Sequence, residues 1–154
     1  MLVTNSSFNF VSRPFKALSI NELHDVYRLR SKVFVVEQNC VYQDVDGQDC
    51  LAFHVLAYDQ QNLVAYARIF LPGVLMKKKA VIGRVVVDAG HRKKGVGHQL
   101  MKFCLKSISK NNTTPPVKIS AQTHLRRFYE AHGFRGTAKE YLEDGIPHCE
   151  MIRL

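Results

Sequence analysis

Residues 80–121 constrain the chain more than any other stretch. Ala80 to Val87 reads AVIGRVVV, β-branched and nearly continuous, as expected of a strand buried on both faces. Residues 96–109 follow with Val96, Leu100, Phe103, Cys104 and Ile108 at helical spacing, which predicts a helix with that face inward. Asn111 to Pro116 breaks it, and Val117 to Ala121 alternates as a short strand. Strand, helix and strand in that order form a crossover unit. Strands 80–88 and 117–121 are therefore expected to be parallel and connected right-handedly. They are also expected to diverge at their C-terminal ends, because ligands of open sheets sit in the crevice outside the strand ends.

The remaining elements arrange themselves around that unit. Ser19-Ile20-Asn21-Glu22 reads as a capping box, with Leu18 before it as a staple. Leu23, Val26, Leu29, Val33 and Phe34 then predict an amphipathic helix over about 20–35. Residues 50–58 and 63–71 read as a hairpin joined at Gln60-Gln61-Asn62. Residues 124–132 form a short helix stopped by Gly133, and strands at 135–142 and 147–153 flank a turn at Glu143-Asp144-Gly145. The order β-α-β-β-β-α-β-α-β-β predicts an α/β (α+β) protein. Its mixed, largely antiparallel sheet has a central parallel strand pair and flanking helices.

The chain has 154 residues, which suits one domain over 1–154. No run of 18 apolar residues exists to span a membrane. The opening MLVTNSSFNF lacks a basic region before an apolar stretch, so no secretory leader is expected. Cys40, Cys50, Cys104 and Cys149 form no C-x-x-C pair, and the seven histidines show no ligand spacing. Reduced thiols, a cytoplasmic setting and no metal are the expectation.

The net charge of +9 is uneven. Residues 70–129 hold 13 basic side chains and one acid, Asp88, while both flanks are mildly acidic. Such a segment suits a phosphorylated cofactor, a nucleic acid or an acidic membrane. Lys77, Lys78 and Lys79 read as a solvated loop, and Lys102, Lys106 and Lys110 as one exposed helix stripe. The chemistry falls elsewhere, at Arg92-Lys93-Lys94-Gly95-Val96-Gly97-His98, where two glycines open a helix directly after a strand. The free N–H groups of a helix N-terminus carry partial positive charge, and glycine lets backbone approach phosphate oxygens. That combination points to a diphosphate. It is neither a P-loop nor the dinucleotide fingerprint.

Arg92 to Gly97 resembles the Q/R-x-x-G-x-G/A loop of the GNAT N-acetyltransferase superfamily. Leu125-Arg126-Arg127-Phe128-Tyr129-Glu130-Ala131-His132-Gly133-Phe134 resembles that superfamily's F-Y-x-x-x-G-F helix. Leu29 to Gln38, Tyr42 to Gly47, Ile82 to Val85 and Glu143 to His148 resemble its ElaA-like branch, so the likeness covers nearly the whole chain. It implies acetyl-coenzyme A as donor and an amine, on a small molecule, peptide or protein, as acceptor. By the same resemblance, backbone groups of Val85, Val86 and Val87 hold the pantetheine, and Arg92, Lys93, Lys94, Gly95, Val96, Gly97 and His98 hold the diphosphate. Gln122 and His124 stand where many members have Asn, and Phe128 flanks the site. Arg30, Phe34, Gln38 and His148 fall on the acceptor side.

Tyr129 is the expected general acid for the departing thiolate. A thiol titrates near ~8.5 and a tyrosine near ~10, so the transfer is slightly uphill in water, and a dry site narrows the gap. Glu37 is the expected general base, with Glu143, Asp144 and His148 as alternatives. An acceptor amine of pKa ~10.4 is only ~0.04% neutral at pH 7, and an α-amine near ~7.8 is ~14% neutral. Asp44, Asp46 and Asp49 either attract a cationic substrate or form a plain solvated loop, the second reading being preferred. Two rivals remain. Arg30 to Gln38 with the Asp-rich loop also resembles acyl-homoserine-lactone synthases, although that family's Trp has no counterpart here. A non-catalytic coenzyme A or nucleic-acid binder would use the basic segment, but no aromatics interleave it. A homodimer is left open.

Overall fold

The computed structural model describes residues 7–154, so most of the segment behind the expectation of no leader lies outside the described residues. The capping box forms at the first helix, α1 (Ile20–Arg30): Ser19 Oγ accepts from the Glu22 N–H at 3.1 Å, and Glu22 Oε2 accepts from the Ser19 N–H at 2.8 Å. A cap of this kind contributes about 1 kcal/mol. The helix does not run on as expected to 35. From Ser31 to Glu37 it widens into a π-helix, with Gln38 N–H bonded to Val33 C=O and Cys40 N–H to Val35 C=O. An apolar pattern at spacings of three and four does not distinguish the two windings, and π turns are rare enough that none is expected by default.

Seven strands make one sheet: β1 (Asn9–Pro14), β2 (Phe53–Asp59), β3 (Asn62–Phe70), β4 (Ala80–Val87), β5 (Val117–Gln122), β6 (Arg135–Glu143) and β7 (Ile146–Arg153). Their spatial order is β1-β2-β3-β4-β5-β7-β6. The β4–β5 pair is parallel and the other five pairings are antiparallel. The expected strand at 50–58 starts later, because Asp49–Leu51 form a 3₁₀ turn. The expected helix at 124–132 divides into a 3₁₀ turn at Thr123–Leu125 and the short α3 (Arg126–Glu130). Lys102 and Lys106 on α2 (Val96–Ile108) are exposed, with Lys110 just beyond it.

The two faces of the sheet carry different helices. On one, Val26, Leu29 and Val33 pack against Leu56, Tyr66 and Val86. On the other, α2 buries Val96, Leu100, Met101, Cys104 and Ile108 against Ala65, Ala67, Ala80 and Ile82. Fully burying a Leu- or Met-sized side chain is worth about 1.5–3 kcal/mol, so these two layers hold β3 and β4 in place.

β4 is where the sheet opens. It pairs with β5 only from Ala80↔Val117 to Ile82↔Ile119, and the strands then part. On its other side the register with β3 slips by one residue between Val86 and Gly83, a β-bulge. Arg84, inside the bulge, adopts a left-handed φ of 52°, which costs a non-glycine residue energy. The bulge increases the local twist, and the divergence leaves Gly83 to Val87 without a β5 partner.

Candidate active site

The divergence of β4 from β5 continues into a cleft of about 1020 Å³. Val85, Val86 and Val87 form one wall, with Val86 also a core residue. At the end of β4, Asp88 caps a 3₁₀ turn through Gly90 N–H and is bridged by Lys32 at 2.6 Å, which lowers its pKa. Lys93 (φ 63°) and Gly95 (φ 82°) then turn the chain left-handedly into α2. The helix's first backbone bond runs from Gln99 N–H to Gly95 C=O, so the N–H groups of Val96, Gly97 and His98 project from its N-terminus.

A Cβ at Gly97 would meet Phe128 at 3.5 Å and Val87 at 3.6 Å, ordinary contacts, and its φ is not left-handed. The protein itself therefore tolerates a side chain at this position, and packing does not require the glycine. Arg92, Lys93, Gly95, Val96, Gly97 and His98 all line the cleft, whereas Lys94 does not and is exposed. Arg92 is committed in part: its Nη1 lies 2.5 Å from Glu37 and its Nε donates to Val87 C=O.

Phe128 and Tyr129 meet edge to face, with ring centroids 5.0 Å apart. Phe128 lies on the loop beside Gly97 and His98. The Tyr129 ring is buried against Phe134 and Cys104. Burial raises the Tyr129 pKa above its ordinary 10.0, and Cys104 adds to that. The Cys104 thiol is itself pushed up to about 12 by burial. Among the described residues the Tyr129 hydroxyl has no hydrogen-bond partner. It is not a sealed orphan either, since among the described residues the one fully buried unpartnered side-chain atom is Arg68 Nε. The hydroxyl keeps accessible surface, and Tyr129 lines the cleft.

The π-helical segment supplies the opposite rim. Phe34, Glu37 and Gln38 line the cleft with Val33. Gln38 accepts from Gln122 at 3.1 Å, and Cys40 Sγ sits 3.6 Å from Asp144 C=O. The segment is thus tied both to the loop after β4 and to the elements beyond β5. Gln122, His124 and His148 also line the cleft.

Arg30, expected on the acceptor side, does not line the cleft. It is fully buried, donating to Asp44 Oδ2 at 2.9 Å, to Asp44 C=O at 2.9 Å and to Asp49 Oδ1 at 2.8 Å. Arg68 binds Asp46 through both terminal nitrogens and also reaches Asp49. Arg84 takes Asp44 at 2.8 Å. The Asp-rich loop is therefore neither a solvated loop nor a lure for cations. Three arginines neutralise its three aspartates, from partners 14 to 40 positions away in sequence. Hydrogen bonds from Arg68 hold Asp46 well below the usual carboxylate range. At Asp49 burial works upward, and the Arg30 and Arg68 contacts outweigh it. His54 beside them donates from Nε2 to Asp49 C=O and accepts at Nδ1 from Tyr66, and burial lowers its pKa.

Residues not singled out beforehand also line the cleft: Tyr42, Arg68, Phe70 and Ser120. Arg68 and Phe70 look like ordinary strand residues in sequence. Only the splay beside them makes them a wall.

The fold and the sequence have relatives. A profile described as "Acetyltransferase (GNAT) domain" matches residues 24–154. Protein ElaA of Escherichia coli is 44% identical over 138 residues, covering 88% of this chain and 90% of ElaA. Its crystal structure superposes with a TM-score of 0.88 at 39% identity over 96% of this chain and 100% of that one. The crystal structure of an acyl-CoA N-acyltransferase from Pseudomonas aeruginosa gives a TM-score of 0.89 at 40% identity, with the same coverage. Arabidopsis thaliana Naa50, in complex with the bisubstrate analogue CoA-Ac-MVNAL, shares the fold at 20% identity, with a TM-score of 0.71 over 94% of this chain and 98% of that one. The match over most of the chain, on the fold and loop described above, makes this protein a GNAT-family acetyltransferase of the kind that includes ElaA.

Proposed function

We propose that the protein transfers an acetyl group from acetyl-coenzyme A to an amine by direct attack, with Tyr129 as the general acid. The observation that carries this reading is the junction of three open features in one cleft. These are β4 backbone left without a β5 partner, the free N–H groups at the start of α2, and an accessible tyrosine hydroxyl with no protein partner. The cradle suits a diphosphate because the unbonded N–H groups of Val96, Gly97 and His98 belong to a helix N-terminus that lines the cleft beside Lys93. The complex of Naa50 with a coenzyme A bisubstrate analogue supports the same use of the fold.

When bound, acetyl-coenzyme A supplies an activated acyl carbon and a thiolate leaving group. The backbone of Val85, Val86 and Val87 orients the pantetheine arm along the splay, and Val96, Gly97 and His98 hold the diphosphate. Lys93 adds to the field, while Arg92 is shared with Glu37. Phe34, Phe70 and Phe128 exclude water from the cleft. Tyr129 delivers its proton to the departing sulfur. Its raised pKa makes it a weaker acid than in water, and the same dry surroundings make the thiolate a stronger base. Glu37 faces the cleft as a candidate base only when Arg92 releases it. We also retain a cytoplasmic setting, in which the four unpaired thiols stay reduced.

The test is thiol release from acetyl-coenzyme A against a panel of small amines, peptides and proteins, with calorimetry of coenzyme A binding alongside. Amine-dependent thiol release supports the reading. Tight coenzyme A binding with no amine able to stimulate release overturns the catalytic part.

A further inference from the structure

We infer that His148 is the catalytic base that takes the proton from the acceptor's ammonium group, with the Glu143 carboxylate as its partner; this rests on the acetyltransferase reading above. His148 sits on β7 opposite Gln122 of β5 on one side and Tyr141 of β6 on the other. Its side chain is 11% exposed, and the residue lines the cleft. Nδ1 lies 2.7 Å from Ile146 C=O, an atom that only accepts. Nδ1 therefore carries the proton in the neutral ring, and Nε2 keeps a lone pair. Nε2 is 3.7 Å from Glu143 Oε2. While the ring is neutral, that approach sets a lone pair against a carboxylate. Once the ring accepts a proton it becomes an ion pair.

The surrounding groups hold this arrangement. Tyr141 stacks parallel to His148 within 15°, and its hydroxyl meets Ser120 Oγ. Ser120 Oγ donates to Glu143 Oε2 at 3.0 Å. Lys139 Nζ lies over the Tyr141 ring, 5.8 Å from its centroid, and Asp144 is in the turn before Ile146. Across the cleft stand Gln38, bonded to Gln122, and Glu37, occupied by Arg92. His148 Nε2 thus has no protein donor among the described residues and faces only the Glu143 carboxylate, whereas a proton arriving at Glu37 would break an ion pair at 2.5 Å.

The protons balance. Nε2 takes one from the ammonium, freeing the amine lone pair, and later gives it to water. The second amine proton, lost as the N–C bond forms and the C–S bond breaks, replaces the one Tyr129 hands to sulfur. A base of this kind matters for an aliphatic α-amine, which is mostly protonated below its pKa of ~7.7–8.0, and not for an aromatic amine already neutral at pH 7.

The test compares those two probes, a dipeptide α-amine and an aromatic amine, in thiol release at pH 6.5. His148→Gln is expected to lose about 10²–10⁴-fold in kcat/KM on the dipeptide and little on the aromatic amine, with coenzyme A affinity unchanged by calorimetry. Added imidazole should restore part of the dipeptide rate in His148→Ala. Long-range proton–nitrogen correlation spectra of the wild type, with no substrate present, should show the neutral Nδ1–H tautomer. An Nε2–H tautomer, or equal losses on the two amines, removes His148 as base and leaves the acetyltransferase reading standing. A wild type that releases no thiol with any amine removes both.

Discussion

Two charge-rich regions lie along β4, one at its bulge and one beyond its C-terminal end, and they are opposites. The Arg30–Arg68–Arg84 cluster meets its charges internally, with three guanidinium groups on three aspartates. The loop after β4 has cations and backbone donors whose partners are missing: Lys93, Lys94 and the first N–H groups of α2. Charge density alone would mark both as sites. What separates them is partnering. The cluster is closed: apart from Arg68 Nε, its charged groups are bonded to one another and support the wall. The loop is open: among the described residues, the first N–H groups of its helix have no protein partner.

Mutations should sort along that line, and the largest effect belongs to the open side. Tyr129→Phe removes a hydroxyl with no hydrogen-bond partner among the described residues, so stability and coenzyme A binding should hold while kcat and kcat/KM fall together by about 10²–10⁴-fold. Wild-type turnover with a lowered melting temperature would make Tyr129 structural instead. On the closed side, Arg30→Ala leaves Asp44 to Arg84 alone and Asp49 to Arg68 alone, with the buried space of the guanidinium empty, and should cost about 3–5 kcal/mol in chemical denaturation. If Arg30→Ala instead weakened coenzyme A binding in a fully stable protein, the division between the regions would collapse.

Gly97→Asp should do the reverse of Arg30→Ala. The folded protein keeps its stability, because the new Cβ makes only ordinary contacts, and coenzyme A affinity drops by about 100-fold or more from like-charge opposition. Unchanged affinity by calorimetry would place the diphosphate elsewhere. The pH response sharpens the closed side. His54 has a pKa depressed by burial, so its contribution is present above about 6.5 and is lost as pH falls below that. Asp46 and Asp49, also depressed, contribute above about 3.9 and lose that contribution only in stronger acid. Melting temperature should therefore fall in two stages, and His54→Gln should flatten the first. A single acid transition near pH 4 in the wild type would contradict this. The smallest effect is expected from Lys94→Ala, an exposed cation off the cleft, at under about 1 kcal/mol in coenzyme A affinity.

The legible parts of the molecule were those written in local pattern. The unalternating run at Ala80–Val87, the glycines at 95 and 97 and the capping box at Ser19 each carry their physics within a few residues. The parallel pair followed from connection order alone. Arg30 was illegible for the opposite reason. Its partners lie 14 and 19 positions away, and a buried ion pair has no periodicity to betray it. The same holds for Glu37, whose tie to Arg92 depends on a winding change at Ser31 that hydrophobic spacing does not encode. His148 was visible as a candidate, but its tautomer rests on a carbonyl two residues back, a detail of backbone geometry.

The π-helical segment, with the residues that follow it to Cys40, acts as a crossbeam over the wedge. It is pinned at Lys32 to Asp88 and at Glu37 to Arg92 on one arm, and at Gln38 to Gln122 and Cys40 to Asp144 on the other. Spreading the arms must break a fastening at one end of the beam. The fastenings are unequal: two ion pairs hold the β4 side, and one amide contact and one thiol contact hold the other. The wedge should therefore open first on the β5–β7 side, leaving the loop after β4 undisturbed.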